Sequence, residues 1–228
     1  NISVSPKFTY DFLKRMMDFI LSFILGAVSL LFYPFVFLAI KLDDGGPIFI
    51  KQERVGKDGK NILLRKFRSM NHNETDLSSN KENKVTKARL DELRQHNEME
   101  GPAFKMKDDP RLTVIGKFLR KFSIDEFPQL WNVFRGDISL IGPRPELPSG
   151  VDIYEKEIPY YNIRHLIKPG LSGWAQIHQE NHPHHGAEVA LTAEKLTYDI
   201  YYIKNRSFWL DIKIALKTIK ALLSRTGI

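Results

Sequence analysis

The chain has 228 residues, a formal net charge of +7, 43% hydrophobic and 27% charged residues, and no cysteine. This composition excludes an intrinsically disordered chain, and the lack of cysteine excludes disulfides and thiolate metal sites. The positive charge favours anionic partners such as phosphorylated substrates, anionic lipid or nucleic acid, although ordinary solubility charge explains an excess of this size equally well.

The first element is an uncharged apolar run at residues 19–40, FILSFILGAVSLLFYPFVFLAI. As a straight helix it would reach ~33 Å, roughly the hydrocarbon thickness of a bilayer. Pro34 lies inside the run and predicts a kink or break there, because proline lacks a backbone donor. Lys14 and Arg15 precede the run and Lys41 follows it, so the positive-inside tendency favours both ends on the cytoplasmic side. A re-entrant helix satisfies both observations, and an ordinary kinked span remains the alternative.

A short β-hairpin and amphipathic segments follow the apolar run. Residues 48–55 and 61–68 have the composition of two strands around a glycine-containing turn. Residues 71–100 are polar and predict a mobile, solvated excursion. Residues 111–122 alternate apolar and basic faces at helical spacing, which fits a helix in a membrane interface or one packed on a soluble core. Residues 198–223 repeat that pattern and leave the same two alternatives open.

Two adjacent carboxylates, Asp125 and Glu126, lie in a strongly basic neighbourhood. Ser123 and Glu126 match a capping box, which is the purely structural interpretation, but Pro128 would then clash inside the helix. We therefore expect the helix to begin near Phe127 or Pro128. Both acids would then lie on the preceding turn, where the positive end of the helix dipole stabilises carboxylates.

The chemistry that this pair favours is phosphoryl transfer. An ionised aspartate is a competent nucleophile at phosphorus, and a neighbouring glutamate can help to hold Mg²⁺. Asp125 and Glu126 are therefore our candidate catalytic and metal-binding residues. Two prolines stiffen the turn around Arg144, so its guanidinium can grip a phosphate at low entropic cost, unless it is simply a surface arginine. The candidate phosphate-binding side chains are Arg144, Lys66, Arg68 and Arg111.

Four histidines crowd residues 178–185 and suggest a zinc site. Pro183 prevents a regular helix there, and the spacing matches no common zinc pattern. We therefore favour a polar loop over a metal site in this segment.

Nine short motifs are distributed along most of the chain. They are Lys14-Arg15-x-x-Asp18, Pro34, Gly46-Pro47-Ile48-Phe49, Gln52-x-Arg54-x-Gly56, Lys66-Phe67-Arg68-Ser69-Met70, Asp109-Pro110-Arg111, Ser123-x-Asp125-Glu126-x-Pro128-Gln129-x-x-Asn132-Val133, Gly136-Asp137-x-Ser139-x-x-Gly142-Pro143-Arg144-Pro145 and Lys168-Pro169-Gly170-Leu171-Ser172-Gly173-Trp174. Each is weak alone, and together they are specific. The chain resembles the bacterial sugar transferases, the monotopic polyprenyl-phosphate phosphoglycosyl transferases.

The resemblance implies a reaction and assigns roles within the acid pair. A UDP-sugar donates its sugar-1-phosphate to a polyprenyl phosphate with loss of UMP, as the first membrane step of bacterial surface glycan assembly. Asp125 resembles the nucleophile that takes the phosphosugar covalently, Glu126 its partner, and Arg144 a phosphate-binding residue, with Mg²⁺ as the cofactor. The resemblance also implies a re-entrant helix broken near Pro34 at the cytoplasmic face of the bacterial inner membrane.

We therefore expect an α+β, mainly helical fold, in which a re-entrant membrane helix and interfacial amphipathic helices surround a small cytosolic catalytic domain with a short β-hairpin. Residues 1–42 would form the N-terminal segment and membrane helix, and residues 43–228 the catalytic domain. The tail after Trp174 resembles larger family members that carry an N-terminal membrane bundle, so the chain fits the catalytic part of such a protein.

The expected partners are a UDP-sugar such as a UDP-hexose, a polyprenyl phosphate such as undecaprenyl phosphate, and membrane lipids. We expect no nucleic acid, and a homo-oligomer is left open. The competing class is a membrane-anchored, non-catalytic module that binds anionic lipid or nucleic acid. Charge and anchor fit that class equally well, but it does not explain the acid pair.

Overall fold

A computed structural model describes residues 7–71, 109–178 and 189–224, with the backbone alone at Leu223. All of the predicted excursion at 71–100 except residue 71, and most of the histidine-rich segment, lie outside these ranges. The helices are α1 (Phe8–Leu30), α2 (Tyr33–Asp44), α3 (Val114–Lys121), α4 (Leu130–Arg135), α5 (Pro148–Glu157), α6 (Val189–Asn205) and α7 (Phe208–Leu223). The strands are β1 (Phe49–Val55), β2 (Asn61–Phe67), β3 (Ser139–Ile141) and β4 (Gly170–Ser172), and short 3₁₀ helices occupy Lys57–Gly59, Ile124–Gln129 and Tyr161–Leu166. The predicted mainly helical α+β fold is confirmed.

The predicted hairpin is present as an antiparallel β1–β2 pair, in register from Phe49 opposite Phe67 to Val55 opposite Asn61. Its turn contains Gly59 at φ 71°, a left-handed conformation that glycine adopts without a side-chain clash. A second sheet is a short parallel pair, β3 with β4, which the sequence pattern did not predict. Strands of three residues are too short to show a period-two alternation.

The apolar run forms the bent pair of α1 and α2. Helix α1 ends at Leu30, and α2 begins at Tyr33 with Pro34 in its first turn, so the break lies just before the proline. Within the described ranges, no single helix has the length and hydropathy that crossing a bilayer requires. Taken together, α1 and α2 have the required length and hydropathy, but the pair is bent by 55° at the break. Large apolar side chains stay exposed along both helices and at the break between them, among them Leu31 at 70% and Phe35 at 73%.

Polar side chains dock the N-terminal half of α1 on the rest of the protein. Lys14 pairs with Asp211 of α7 at 2.8 Å. Arg15 donates to the carbonyl oxygens of Val133 and Phe134, at the C-terminal end of α4. Basic groups stabilise that end of a helix because its last carbonyls lack partners.

Asp18 also attaches α1 to the rest of the protein. Its side chain is buried, and its Oδ1 accepts a hydrogen bond from the Leu140 amide of β3 at 3.1 Å. At the other end of the bent pair, Asp44 forms an ion pair with the buried Arg68, which follows β2. Both ends of the α1–α2 pair are therefore attached to elements of one folded unit. The proposed division at residues 42–43 stays a prediction.

Helix α3 corresponds to the predicted amphipathic segment but is shorter. Its N-cap is Thr113, whose Oγ1 accepts from the Gly116 amide at 2.9 Å. Arg111 lies outside the helix because its amide donates to the Asp109 carboxylate. Leu119 is buried whereas Phe118 is exposed, so the helix keeps an unburied apolar face. Its place in a membrane interface stays a prediction.

The C-terminal helices contribute both to the core and to the surface. Tyr202 of α6 and Ile214 of α7 are fully buried against Ile141 of β3. Trp209 of α7 is 78% exposed, and Leu216 is exposed as well. Part of this segment therefore packs in the core, and a place for its exposed residues in a membrane interface stays a prediction.

Candidate active site

The acid pair lies inside a 3₁₀ helix, Ile124–Gln129, and not on a turn before an α-helix. The α-helix that follows begins at Leu130, later than predicted, and the side chain of Ser123 makes no capping hydrogen bond. The capping-box interpretation and the predicted helix start are therefore wrong. The reason is Pro128, because an α-helix through this segment would bring its ring against the carbonyl of Ile124 four residues back. A 3₁₀ helix bonds three residues apart, as Glu126 N does to Ser123 O at 3.2 Å.

Two cations from separate elements converge on the pair. Lys66 of β2 places its Nζ 2.9 Å from Glu126 Oε1 and 3.9 Å from Asp125 Oδ2. Arg144 places Nη2 2.6 Å from the same Glu126 oxygen. The structure therefore brings together four of the predicted site residues. Asp125 is buried, and Glu126 is partly exposed.

The two carboxyl groups have opposite pKa shifts. Burial raises the pKa of Asp125 and the neighbouring Glu126 charge adds to that effect, while Lys66 opposes it. Burial also acts to raise the pKa of Glu126, but Arg144 and Lys66 outweigh it and hold the pKa well below its usual range. Glu126 is thus a permanent anion locked between two cations. Asp125 is the carboxyl group whose charge is less well compensated.

The other two predicted phosphate-binding arginines are engaged elsewhere. Arg68 forms an ion pair with Asp44 and donates to the carbonyl oxygens of Pro47 at 2.6 Å and Met70 at 3.0 Å. Arg111 grips both carboxylate oxygens of Asp109, at 2.8 and 2.7 Å. These contacts hold the backbone around the site, and in this structure they direct both guanidinium groups to carboxylates other than the pair.

Two residues of the site were not among the predicted ones. Arg120, near the end of α3, lowers the pKa of Asp125 through its charge and donates to Ser69 Oγ at 2.9 Å. The buried Asn132 of α4 accepts from the Arg65 amide at 3.1 Å and donates to the Leu63 carbonyl at 2.8 Å, so it binds β2 as a strand would. Asn132 had a sequence signal, because it belongs to the motif that contains the acid pair. Arg120 had only its proximity to that pair.

The donor set fits a magnesium ion better than a zinc ion. Among the residues that the structure describes, no three His, Cys, Asp or Glu side chains converge. Mg²⁺ needs only one or two carboxylates when substrate phosphates complete its shell, and Asp125 with Glu126 supplies them. Three of the four histidines considered for zinc lie outside the described residues. His178 is described, and its Nδ1 lies 2.8 Å from the Trp174 carbonyl oxygen.

Comparison with known proteins identifies the family. The family model described as bacterial sugar transferase matches residues 9–225. A UDP-N-acetylgalactosamine-undecaprenyl-phosphate N-acetylgalactosaminephosphotransferase of Aeromonas hydrophila is 40% identical over 99% of this chain and 47% of its own length. A UDP-glucose:undecaprenyl-phosphate glucose-1-phosphate transferase of Caulobacter vibrioides is 35% identical over 96% of this chain and 73% of its own. The sugar transferase EpsL of Bacillus subtilis is 37% identical over 95% of this chain and 90% of its own.

The chain therefore spans about half the length of several curated relatives, such as the Aeromonas protein, and nearly all of EpsL. The family match covers both the bent helix pair and the acid pair with its cations. The chain belongs to the bacterial sugar transferase family.

Proposed function

We propose that this chain transfers a sugar-1-phosphate from a UDP-sugar to a polyprenyl phosphate such as undecaprenyl phosphate, releasing UMP. The names of the Aeromonas and Caulobacter relatives describe this type of reaction for those proteins. The observation that carries the proposal is the buried Asp125 beside a Glu126 that Lys66 and Arg144 neutralise. Such a site offers a nucleophile and two cations to an incoming phosphate.

The proposed reaction proceeds in two displacements at one phosphorus atom. A carboxylate oxygen of Asp125 attacks the β-phosphorus of the UDP-sugar, and the bond from that phosphorus to the bridging oxygen breaks, so UMP leaves with the oxygen. A phosphate oxygen of the polyprenyl phosphate then attacks the same phosphorus, and its bond to Asp125 breaks. The products are a polyprenyl diphosphate sugar and free Asp125.

Lys66 and Arg144 would stabilise the charge on the transferring group. Both donate hydrogen bonds to the same oxygen of Glu126. A phosphate oxygen that takes the place of this oxygen would therefore meet two cations that are already in position. Glu126 then holds the two cations in position between turnovers. Preorganised cations of this kind stabilise developing charge better than water does.

The proposal includes Mg²⁺, which Asp125 and Glu126 would hold together with substrate phosphates. When bound, the ion would neutralise phosphate charge and align the leaving group. Asp125 would contribute most, because Glu126 Oε1 already accepts from two cations.

The proposed location is the cytoplasmic face of the bacterial inner membrane, with α1 and α2 as a re-entrant pair. The support comes from Lys14, Arg15 and Asp44, which attach both ends of the pair to one folded unit. A folded unit lies on one side of a bilayer, so the two ends would lie on the same side. The exposed apolar residues around the break would then face lipid.

The test is transfer of radiolabel from a panel of UDP-sugars, UDP-hexoses included, to an organic-soluble lipid in membranes with Mg²⁺. We expect Asp125→Asn to lower transfer by more than about 10³-fold and Glu126→Gln by on the order of 10²-fold. Asp152→Asn, at an exposed acid on α5, is the matched control and should transfer normally. Full activity of Asp125→Asn would exclude the nucleophile assignment. Transfer from no donor would favour the non-catalytic, lipid-binding alternative.

A further inference from the structure

The backbone around Arg144 is held by an unusual set of hydrogen bonds. Four consecutive carbonyl oxygens, those of residues 143–146, each accept from a donor on a different residue. The donors are Gly170 N to Pro143 O, Arg164 Nη2 to Arg144 O, Arg54 Nη1 to Pro145 O and Val55 N to Glu146 O, at 2.9, 2.8, 3.3 and 2.9 Å.

This arrangement follows from the two prolines. Pro143 and Pro145 have no backbone N–H, so the segment cannot satisfy its carbonyls by folding on itself in a helix or ladder. Buried carbonyls nevertheless need donors. The neighbouring strands supply two of them, and the side chains of Arg54 and Arg164 supply the others.

Arg164 is the donor that reaches Arg144 itself. It is 3% exposed and lies in the 3₁₀ helix Tyr161–Leu166. Its Nη2 donates to Arg144 O and also forms an ion pair with Asp199 of α6 at 2.9 Å. Its Nη1 lies 3.5 Å from Glu146. Lys195 of α6 forms an ion pair with Glu146 as well. The anions compensate the buried guanidinium and connect it to α6.

We propose that Arg164 is a positioning residue for Arg144, and this inference rests on the proposed function. Arg164 makes no contact with the acid pair in the described residues. It acts by fixing the main chain from which the Arg144 side chain extends. The planar guanidinium is required because its two terminal nitrogens hold Arg144 O and two carboxylates in one fixed geometry, which an ammonium on a flexible stem does poorly. The Arg144 guanidinium can then release Glu126 and bind a phosphate while its main chain stays fixed.

The experiment is a double-mutant cycle on kcat/KM for the UDP-sugar, using Arg164→Lys and Arg144→Lys. In the presence of Arg144, Arg164→Lys should lower kcat/KM by about 10- to 100-fold, because small misplacements of a substrate-binding group have effects of that size. In the Arg144→Lys background the same change should cost less than about threefold, since a point charge on a flexible stem depends less on its backbone.

A role in general stability would give a different result. Arg164→Lys would then lower kcat/KM by the same factor in both backgrounds, which would overturn the inference, as would an unchanged kcat/KM for Arg164→Lys alone. If Arg164→Lys does not fold, Asp199→Asn takes its place in the cycle, because it removes the counter-ion and keeps the guanidinium. Arg206→Lys is the matched control, since this buried arginine pairs with Asp11, far from residues 143–146 in the chain, and should leave kcat/KM unchanged.

The cycle also separates this inference from the proposed function. If Arg144→Lys alone leaves kcat/KM at the wild-type value, the phosphate-binding role of Arg144 is wrong, and the inference falls with it. If Arg144→Lys lowers kcat/KM but Arg164→Lys acts additively, the proposed function stands and only the positioning role is overturned.

Discussion

At the scale of single residues, Lys66 is the side chain that touches both carboxylates of the site. It is 2.9 Å from Glu126 Oε1 and 3.9 Å from Asp125 Oδ2, and its charge lowers the pKa of Asp125 against the effect of burial. The proposed attack of Asp125 on phosphorus needs the ionised carboxylate, so the Lys66 charge helps to set how far into acid the proposed reaction can proceed. The pH profile of kcat/KM therefore reports on the contact between Lys66 and Asp125.

We predict that Lys66→Met moves the acid limb of the kcat/KM profile to higher pH. The variant lacks the cation that lowers the pKa of Asp125 most, so the pKa rises and the ionised fraction falls at each acidic pH. Activity at neutral pH should also fall by on the order of 10²-fold, because the transferring phosphate loses a cation. The measurement is kcat/KM for the UDP-sugar across pH.

The control is Lys60→Met, which removes an exposed lysine from the hairpin turn and should leave both the limb and the rate unchanged. An acid limb at the same pH in Lys66→Met and wild type would mean that Asp125 is not the group that titrates.

The sequence predicted four members of the site and misjudged the surroundings of two others. Asp125, Glu126 and Arg144 were identifiable because their neighbours along the chain already suggest phosphate chemistry. The partners of Arg68 and Arg111 could not be predicted for different reasons. Asp44 is distant from Arg68 in sequence, while Asp109 is close to Arg111 but pairs with it only because the backbone turns there.

At the scale of elements, α3 is held against the segment after β2 by a close backbone approach. A Cβ added to Gly116 would lie 1.8 Å from Ser69 O and 2.6 Å from Ser69 C. Backbone atoms cannot give way as a flexible side chain does. The glycine therefore lets α3 lie close enough to this segment for Arg120, whose charge acts on Asp125, to donate to Ser69 Oγ.

We predict that Gly116→Ala destabilises the protein by about 1–3 kcal/mol, because α3 must move away from Ser69. Its Tm in nanodiscs should fall by several degrees. Gly26→Ala is the matched control, since a Cβ there meets nothing within 4 Å and alanine favours the α1 helix. An equal Tm for the two variants would contradict the close packing of α3.

Elements were predictable where the local pattern is long and agrees with the fold. The hairpin and α3 fit this description, because alternation and helical spacing extend over seven or eight residues. The 3₁₀ helix of the acid pair was missed because its geometry depends on Pro128 competing with a capping signal. The β3–β4 pair was missed because parallel strands far apart in sequence share no local signal.

At the scale of the whole molecule, the bent pair of α1 and α2 is attached to the catalytic elements at both of its ends. The sequence indicated the break at Pro34 and the basic flanks. It did not indicate the contacts that bind α1 to α4, β3 and α7, because those partners lie more than a hundred residues away. In the proposed membrane arrangement, these contacts would couple the depth of the helix pair in the bilayer to the height of Asp125 above it.

We predict that both ends of the pair are accessible from the same side of the membrane. The chain has no cysteine, so single introduced cysteines report without background. Asp11→Cys, at an exposed position in the first turn of α1, and Asp58→Cys, at an exposed position after the pair, should react with an impermeant maleimide in inverted inner-membrane vesicles and not in spheroplasts. Leu31→Cys, at the break, should react in neither.

An ordinary kinked span would label Asp11→Cys and Asp58→Cys from opposite faces. Transfer activity of each variant, measured with the radiolabelled donor, is the control that the label reports on a folded protein.

The most direct test of the account is the covalent intermediate on Asp125. Purified protein in nanodiscs is mixed with Mg²⁺ and a UDP-sugar that supports transfer, without polyprenyl phosphate, and the intact mass is measured. The account predicts one sugar phosphate bound per chain, located on the peptide that contains Asp125, together with one equivalent of UMP. The adduct should disappear on adding polyprenyl phosphate and should be absent from Asp125→Asn. A protein that forms the lipid product at full rate, but never carries the adduct and still works as Asp125→Asn, would contradict it.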